Sequence, residues 1–417
     1  MELINKGAGL YKAGDRVTLG TLKRERIPPK SEYTAFMLRF TLLAHDGAAR
    51  AGEVATAHGV FETPAFMPVG TLAAVKGLLP AQLREAGAQI VLGNALHLAW
   101  RPGEKRVEQL GGLQKFSGWN GPMLTDSGGF QIFSLPGLRK ISEDGAEFAS
   151  PVDGAVRMFT PESVVDLECA LGADIIMPLD HLKELPCPRV ELVDAVDRSI
   201  RWAERAIVRK ERLDRPDVNL FGIVQGGTDP ELRSRSAEGT CRLPFAGFAL
   251  GGFSVGEATE SMHAGIAFSA PLLPADKPRY LMGMGTPLDL LHAVSCGLDM
   301  FDCTLPTRNG RNAMAFTSAG TLRLRNARFA DDPAPLDPNC SCYACRTCSR
   351  AYLRHLFLAR EMNAAILTSL HNVSFYLGLM AQSRDAIRAG RFAAFRTSFE
   401  RAYGRPADET DGPDEQS

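Results

Sequence analysis

Gly297-Leu298-Asp299-Met300-Phe301-Asp302-Cys303-Thr304-Leu305-Pro306-Thr307-Arg308-Asn309-Gly310-Arg311-Asn312 joins an apolar run ending in one carboxylate, Asp302, to a polar, arginine-bearing loop. A strand that delivers an acid at its C-terminal end and then opens into a basic loop is how a parallel barrel builds a site for an anionic substrate. Asp302 is therefore read as a nucleophile, and the rest of the chain is read for its partners.

The same pattern recurs upstream. Ala88-Gln89-Ile90-Val91-Leu92-Gly93-Asn94, Pro122-Met123-Leu124-Thr125-Asp126 and Ala173-Asp174-Ile175-Ile176-Met177-Pro178-Leu179-Asp180 are short apolar runs with polar ends. Asn219-Leu220-Phe221-Gly222-Ile223-Val224-Gln225, Gly247-Phe248-Ala249-Leu250-Gly251-Gly252 and Arg279-Tyr280-Leu281-Met282-Gly283 continue the series to Met300-Phe301-Asp302. Helix-length segments separate several of them, such as 190–212 and 287–297. Continuous apolar runs with such crossovers predict a parallel sheet in an α/β fold. Chemistry-bearing residues at every strand end favour a closed TIM barrel over an open sheet with one crevice. Residues 38–69 instead alternate in the manner of hairpin strands, with 60–69 read as one of them. A further helix is expected over 353–370, with His371 at its far end.

The 417 residues carry a formal net charge of −1, so any nucleic-acid footprint has to be local. It is local: residues 307–328 hold five arginines and no Asp or Glu, while an acidic tail beyond 405 balances the sum. No apolar run reaches the roughly 18 to 20 residues that span a bilayer. The N-terminal stretch is charged and lacks an apolar signal core, so no membrane role is expected and the cytoplasm is the expected compartment. Residues 1–36 are polar and aperiodic and read as a disordered extension, with Met37 an alternative start; 404–417 read as a disordered acidic tail.

Of nine cysteines, Cys340, Cys342, Cys345 and Cys348 fall within nine residues. In a reducing compartment that spacing reads as a closed, structural Zn²⁺ site, with Cys348, His355 and His371 all open as the fourth ligand.

Taken singly, the strand-end residues have ordinary readings. Asp126 suits a turn or helix cap, Asp180 a rim ion pair, Gln225 before Gly226-Gly227 a turn. Gly251-Gly252 lacks the spacing of a phosphate loop. Together, three carboxylates, an amide and close-approach glycines describe a pocket for a flat, hydrogen-bonding heterocycle. A carboxylate accepts from the ring N–H and exocyclic amine of a guanine, and an amide supplies a donor to its carbonyl. Phe130 offers a stacking face. A carboxylate nucleophile beside such a pocket points to attack at the anomeric carbon that bears the base, through a covalent intermediate.

At 126–131, 222–226, 251–257, 279–283, 300–311, 325–329 and the cysteine cluster the sequence resembles the bacterial-type queuine tRNA-ribosyltransferases, or tRNA-guanine transglycosylases, over about 38–403. The resemblance implies an irregular (β/α)8 barrel over 37–403 with a C-terminal zinc-binding subdomain at about 325–385, working as a homodimer. It implies exchange of the wobble guanine of G-U-N anticodon tRNAs (those for aspartate, asparagine, histidine and tyrosine) for 7-aminomethyl-7-deazaguanine, in queuosine biosynthesis. Asp302 matches the nucleophile and Asp126 the proton acceptor and donor. Ser127, Gly128, Gly129 and Phe130 match the base-binding loop, and Asp180, Gln225 and Gly252 the residues that hold the base. The Phe253 carbonyl and Glu257 are the candidates for its aminomethyl group. Gly283, Met284, Gly285, Thr286, Pro287, Leu288 and Asp289 match one RNA-binding segment, and Thr307, Arg308, Asn309, Gly310 and Arg311 another. Cys340, Cys342, Cys345 and His371 match the zinc ligands.

The chain departs from the family pattern at Ala95-Leu96, at His181-Leu182 after the pocket aspartate, at Phe253-Ser254, and at Cys348. Those positions flank the base pocket or the metal cluster, so they bear on which base enters; Val255 stays bulky, which favours the smaller one. The competing readings are a queuine-inserting enzyme and a non-catalytic partner subunit of a heterodimer. The second would lack Asp126 or Asp302, and both are present.

Overall fold

A computed structural model describes residues 38–129, 139–150 and 154–404. Eight parallel strands close into a barrel: β1 (Ala65–Gly70), β2 (Val91–Asn94), β3 (Met123–Asp126), β4 (Ile175–Ile176), β5 (Asn219–Val224), β6 (Gly247–Leu250), β7 (Arg279–Leu281) and β8 (Met300–Cys303). They follow one another around the ring, and β8 closes on β1 with Asp302 opposite Met67. Alternate side chains of each strand point inward, so Met67, Leu92, Leu124, Ile175, Phe221, Ile223, Ala249, Tyr280 and Met300 fill the interior. The residues between them face the helices, among them Arg189–Arg212, with Trp202 and Ala206 covered.

Seven of the eight strands coincide with the apolar runs of the sequence. The eighth, β1, lies inside residues 60–69, which alternation alone assigned to a single hairpin strand. Pro64 divides that stretch, because it has no N–H to carry a ladder onward. Gly59–Thr63 completes a three-stranded antiparallel sheet with Arg39–Asp46 and Ala49–Thr56, and Ala65 begins the barrel.

The antiparallel sheet seals the N-terminal end of the barrel. Its Val54 and Phe61 join the interior core. The buried Asp174 accepts from the amides of His58 (3.0 Å) and Met123 (2.9 Å), and Asn219 accepts from the Leu38 amide at 2.7 Å. With that end satisfied and filled, the free strand ends, where Asp126 and Asp302 sit, are all at the opposite rim.

After β8 the expected basic loop is a short helix, Leu305–Arg311, followed by the hairpin Met314–Thr317 and Gly320–Arg323. The helix expected over 353–370 is two helices, Arg350–Leu358 and Met362–Arg388. Between them Arg360 is left-handed (φ 59°), and the amides of Glu361 and Arg360 return to the carbonyls of Leu356 (2.9 Å) and Phe357 (3.3 Å). That pair of bonds terminates a helix, usually with glycine where Arg360 stands. His371 is consequently well inside the second helix rather than at an end.

Met362–Arg388 is long and apolar enough to cross a membrane by length and composition. Its buried Thr368, Ser369, His371 and Asn372 show instead that it is packed within the fold. Asn372 donates to the carbonyls of Pro306 and Met314 (both 2.9 Å) and accepts from the Phe316 amide (2.9 Å), tying the post-β8 helix to the hairpin. The segment around the cysteines has its own small core of Ala315, Leu324, Phe329, Leu336, Leu353 and Phe357.

The post-β8 helix crosses Met362–Arg388 so closely that a Cβ on Gly310 would lie 2.8 Å from the Ser369 Cα and amide nitrogen. Gly310→Ala is expected to push the two helices apart and cost about 1–3 kcal/mol. Denaturant unfolding of the variant checks this, and an unchanged midpoint contradicts the packing.

Candidate active site

Asp302 ends β8 with its side chain almost fully covered. One carboxylate oxygen accepts from the Tyr280 hydroxyl at 2.5 Å and from the Gly283 amide at 2.7 Å. Tyr280 comes from the neighbouring β7 and is itself buried, so it reaches Asp302 from inside the barrel. Burial pushes the Asp302 carboxyl up to about 6, the two hydrogen bonds oppose that rise, and the nearby Asp126 charge adds to it. Burial also raises the Tyr280 hydroxyl well above its usual range, so it stays a neutral donor.

Asp126 ends β3, directly opposite Asn94 in the ladder with β2. That register places the Asn94 amide group 2.6 Å from one Asp126 oxygen, and the Ala95 amide donates to the other at 3.0 Å. Behind Asp126, the hydroxyl of the fully buried Thr125 donates to Glu168 at 3.0 Å.

Asp180 lies beyond the two-residue strand β4, not at its end. It accepts from the Gln225 side chain at 2.6 Å, and burial pushes it up to about 6. Gly129 is packed against it: a Cβ there would lie 2.2 Å from an Asp180 oxygen. Ser127 holds the same loop by accepting from the Gly129 amide at 3.3 Å. Phe130 lies outside the described residues.

Beyond β6, Gly252 has φ 73° and Ser254 φ 59°. The positive φ favours glycine at 252, and a Cβ there would also displace the Gln225 side-chain oxygen, 2.4 Å away. Glu257 spends its carboxylate on the amides of Ser254 (2.5 Å) and Val255 (2.9 Å), which fixes the turn. The Phe253 side chain is buried and lies against the Arg233 guanidinium, 3.8 Å from ring centre to charge.

In the two segments expected to meet RNA, exposure is divided. Gly283, Thr286 and Arg308 are exposed and Leu288, Asn309 and Arg311 partly so, whereas Met284, Gly285, Pro287, Asp289, Thr307 and Gly310 are buried. Asp289 caps its own helix through Thr286, and the buried Tyr376 hydroxyl fixes the Gly285 carbonyl at 2.7 Å. Half of each segment therefore positions the other half. Cys303, beside Asp302, is buried with its thiol raised above the usual range by that burial, which removes it as a rival nucleophile.

Cys340, Cys342, Cys345 and His371 bring their ligand atoms within 4.8 Å of one another. The His371 Nε2 lies 2.7 Å from the Phe316 carbonyl, so Nε2 carries the proton and the Nδ1 lone pair faces the sulfurs, 3.2 Å from that of Cys345. Three thiols and an imidazole oriented through its far nitrogen fit a tetrahedral metal site. His355 is exposed, and Cys348 is not part of the cluster.

A family model described as queuine tRNA-ribosyltransferase matches residues 46–405. The chain belongs to that family. It is 50% identical over 364 residues to the queuine tRNA-ribosyltransferase of Solidesulfovibrio magneticus, covering 87% of this chain and 97% of the relative. It is 51% identical over 364 residues to that of Nitratidesulfovibrio vulgaris, with the same coverage, and 50% over 368 residues to that of Thermus thermophilus, covering 88% and 95%. As a member of the queuine tRNA-ribosyltransferase family, the chain is a pentosyltransferase.

Two residues not singled out from the sequence support the site, Tyr280 at Asp302 and Arg233 behind the Gly252 turn; Gly283, expected as an RNA contact, also gives its amide to Asp302, and Asn94, expected as a polar strand end, holds Asp126. Tyr280 had a usable signal, a hydroxyl-bearing side chain in the middle of the short run that forms β7. Tyr280→Phe removes a bond that favours the Asp302 anion, so the Asp302 carboxyl rises further. The acid limb of the pH–rate profile should move to higher pH, with the loss larger at pH 6 than at pH 8. An unshifted limb contradicts this role of Tyr280.

Proposed function

We propose that this member of the queuine tRNA-ribosyltransferase family exchanges the wobble guanine of G-U-N anticodon tRNAs for 7-aminomethyl-7-deazaguanine by double displacement. The observation that carries the reading is the pair of rim carboxylates with different surroundings: Asp302 buried and oriented by Tyr280 and Gly283, Asp126 partly exposed and held by Asn94 and Ala95. An Asp302 oxygen bonds to ribose C1′ as the C1′–N9 bond breaks and the electron pair leaves with guanine, which takes a proton through Asp126. The incoming base gives its N9 proton to Asp126, its nitrogen bonds to C1′, and the Asp302 carboxylate is released. Proton and charge both return to their starting places.

Asp180 and Gln225 suit the guanine edge, with Asp180 as acceptor. Gly252 and Phe253 supply backbone groups, and Ser127, Gly128 and Gly129 the wall of the pocket. Glu257, whose oxygens hold the Ser254 and Val255 amides, acts on the aminomethyl group through the backbone it fixes. Gly283, Thr286, Arg308, Asn309 and Arg311 are the accessible RNA contacts. Zn²⁺ is the metal best matched to the thiol-rich set, and when bound it would lock the C-terminal subdomain without entering the chemistry. A homodimer is part of the proposal, and the exposed Leu79 (65%) and Tyr343 (51%) are among the apolar side chains available to an interface. The cytoplasm, where tRNA and reduced thiols coexist, is the proposed compartment.

Exchange of radiolabelled guanine into a G-U-N tRNA transcript tests the reading. Wild-type protein should incorporate label into that tRNA and not into one with a different wobble base. Asp302→Asn should abolish incorporation, a loss of at least about 10³-fold. Incorporation by that variant, or none by the wild type, overturns the proposal.

A further inference from the structure

Arg233 is a buried guanidinium with no carboxylate paired to it among the described residues. It sits near the start of the helix Pro230–Cys241, 1% exposed, and spends its donors on backbone carbonyls. Nε donates to the Gly227 carbonyl at 2.7 Å. One Nη donates to Val224 at 3.0 Å and Gly251 at 2.7 Å, and the other approaches Gly252 at 3.4 Å. Its flat face lies on the Phe253 ring at 3.8 Å. A charge taken out of water with no carboxylate in direct contact is costly; burial pushes this guanidinium down to about 9, and the more distant Glu257 charge only partly opposes that. Such a cost points to a task.

The four carbonyls belong to the two turns that follow β5 and β6, the turns that present Gln225 and Gly252. In a planar trans peptide the C=O and the following N–H point in opposite directions. With the Gly251 and Gly252 carbonyls drawn back to Arg233, the amides of Gly252 and Phe253 are turned the other way, toward Gln225 and the pocket. Neither amide has an acceptor among the described residues. We propose that Arg233 is the positioning residue that aims these two amides at the carbonyl of the incoming base, with Phe253 as the ring that holds the guanidinium flat. The inference rests on the base-exchange reading above and adds a specificity element to it: two donors in fixed positions select a purine with a carbonyl at that edge. It also accounts for Phe253, whose buried ring stacks on the guanidinium.

The test separates the Michaelis constants in the full-length enzyme, with labelled guanine as incoming base and a G-U-N transcript as acceptor. Arg233→Met removes every donor. It should raise KM for guanine on the order of 10- to 100-fold, with Arg233→Lys in between because an ammonium restores part of the charge but not the fork. Because the departing wobble guanine occupies the same pocket, kcat/KM for tRNA should fall as well, and KM for guanine, which does not depend on the active fraction, carries the diagnosis. A role in folding alone would lower the active fraction and the melting temperature and leave KM for guanine unchanged, which overturns the proposal. If neither Arg233 variant folds, Phe253→Leu decides: loss of the stack should raise KM for guanine about threefold, and an unchanged value overturns the proposal. Wild-type protein that exchanges no guanine refutes the base-exchange reading itself, whereas normal wild-type exchange with unaltered KM in folded variants refutes only the role of Arg233.

Discussion

A carboxylate buried at the lip of a closed barrel is the constraint on which the rest of this molecule depends. Asp302 is covered by the barrel wall, and in the proposed reaction it has to act as an anion, which burial disfavours. The Tyr280 hydroxyl and the Gly283 amide make the anion tolerable, and both are available only because β7 lies next to β8 in the ring. The filled interior and the antiparallel sheet at the other end keep that geometry rigid. The hydrogen bonds supply charge stabilisation in a place largely shielded from water, where such bonds are stronger.

The other polar residues of the rim follow a similar logic, each held by a neighbour in the ladder or the next turn. Asn94 opposes Asp126 by register, Gln225 reaches Asp180, and Arg233 ties together the turns after β5 and β6. The C-terminal helix Met362–Arg388 extends the arrangement outward. It carries His371 to the cysteines, Asn372 to the post-β8 helix and Tyr376 to the Gly285 carbonyl. A metal at the cysteine cluster would therefore stiffen the same helix that supports the segments proposed to meet RNA.

Much of this was legible in the sequence, for physical reasons. Buried parallel strands are short, continuously apolar and end in polar residues, so seven of the eight could be found from texture. β1 was hidden because it follows a hairpin strand with only Pro64 between them, and alternation does not register a change of sheet. The arginine-bearing stretch after Asp302 looked like a loop because Pro306 and Gly310 disguise a helix whose glycine is needed for close packing on Ser369. His371 could be named as a ligand only by resemblance, since spacing alone left Cys348 and His355 open. Tyr280 and Arg233 show the general limit: a side chain whose value lies in a bond to a residue tens of positions away leaves no local pattern.

The central claim, that Asp302 is the atom-level nucleophile, is tested most directly by locating the covalent link. The protein is incubated with a G-U-N transcript, quenched under denaturing conditions and digested, and the ribose-bearing peptide is sequenced by mass spectrometry. The account predicts the added mass on Asp302. The same mass on Asp126 or Asp180, or no covalent species in an enzyme that exchanges guanine, would contradict it.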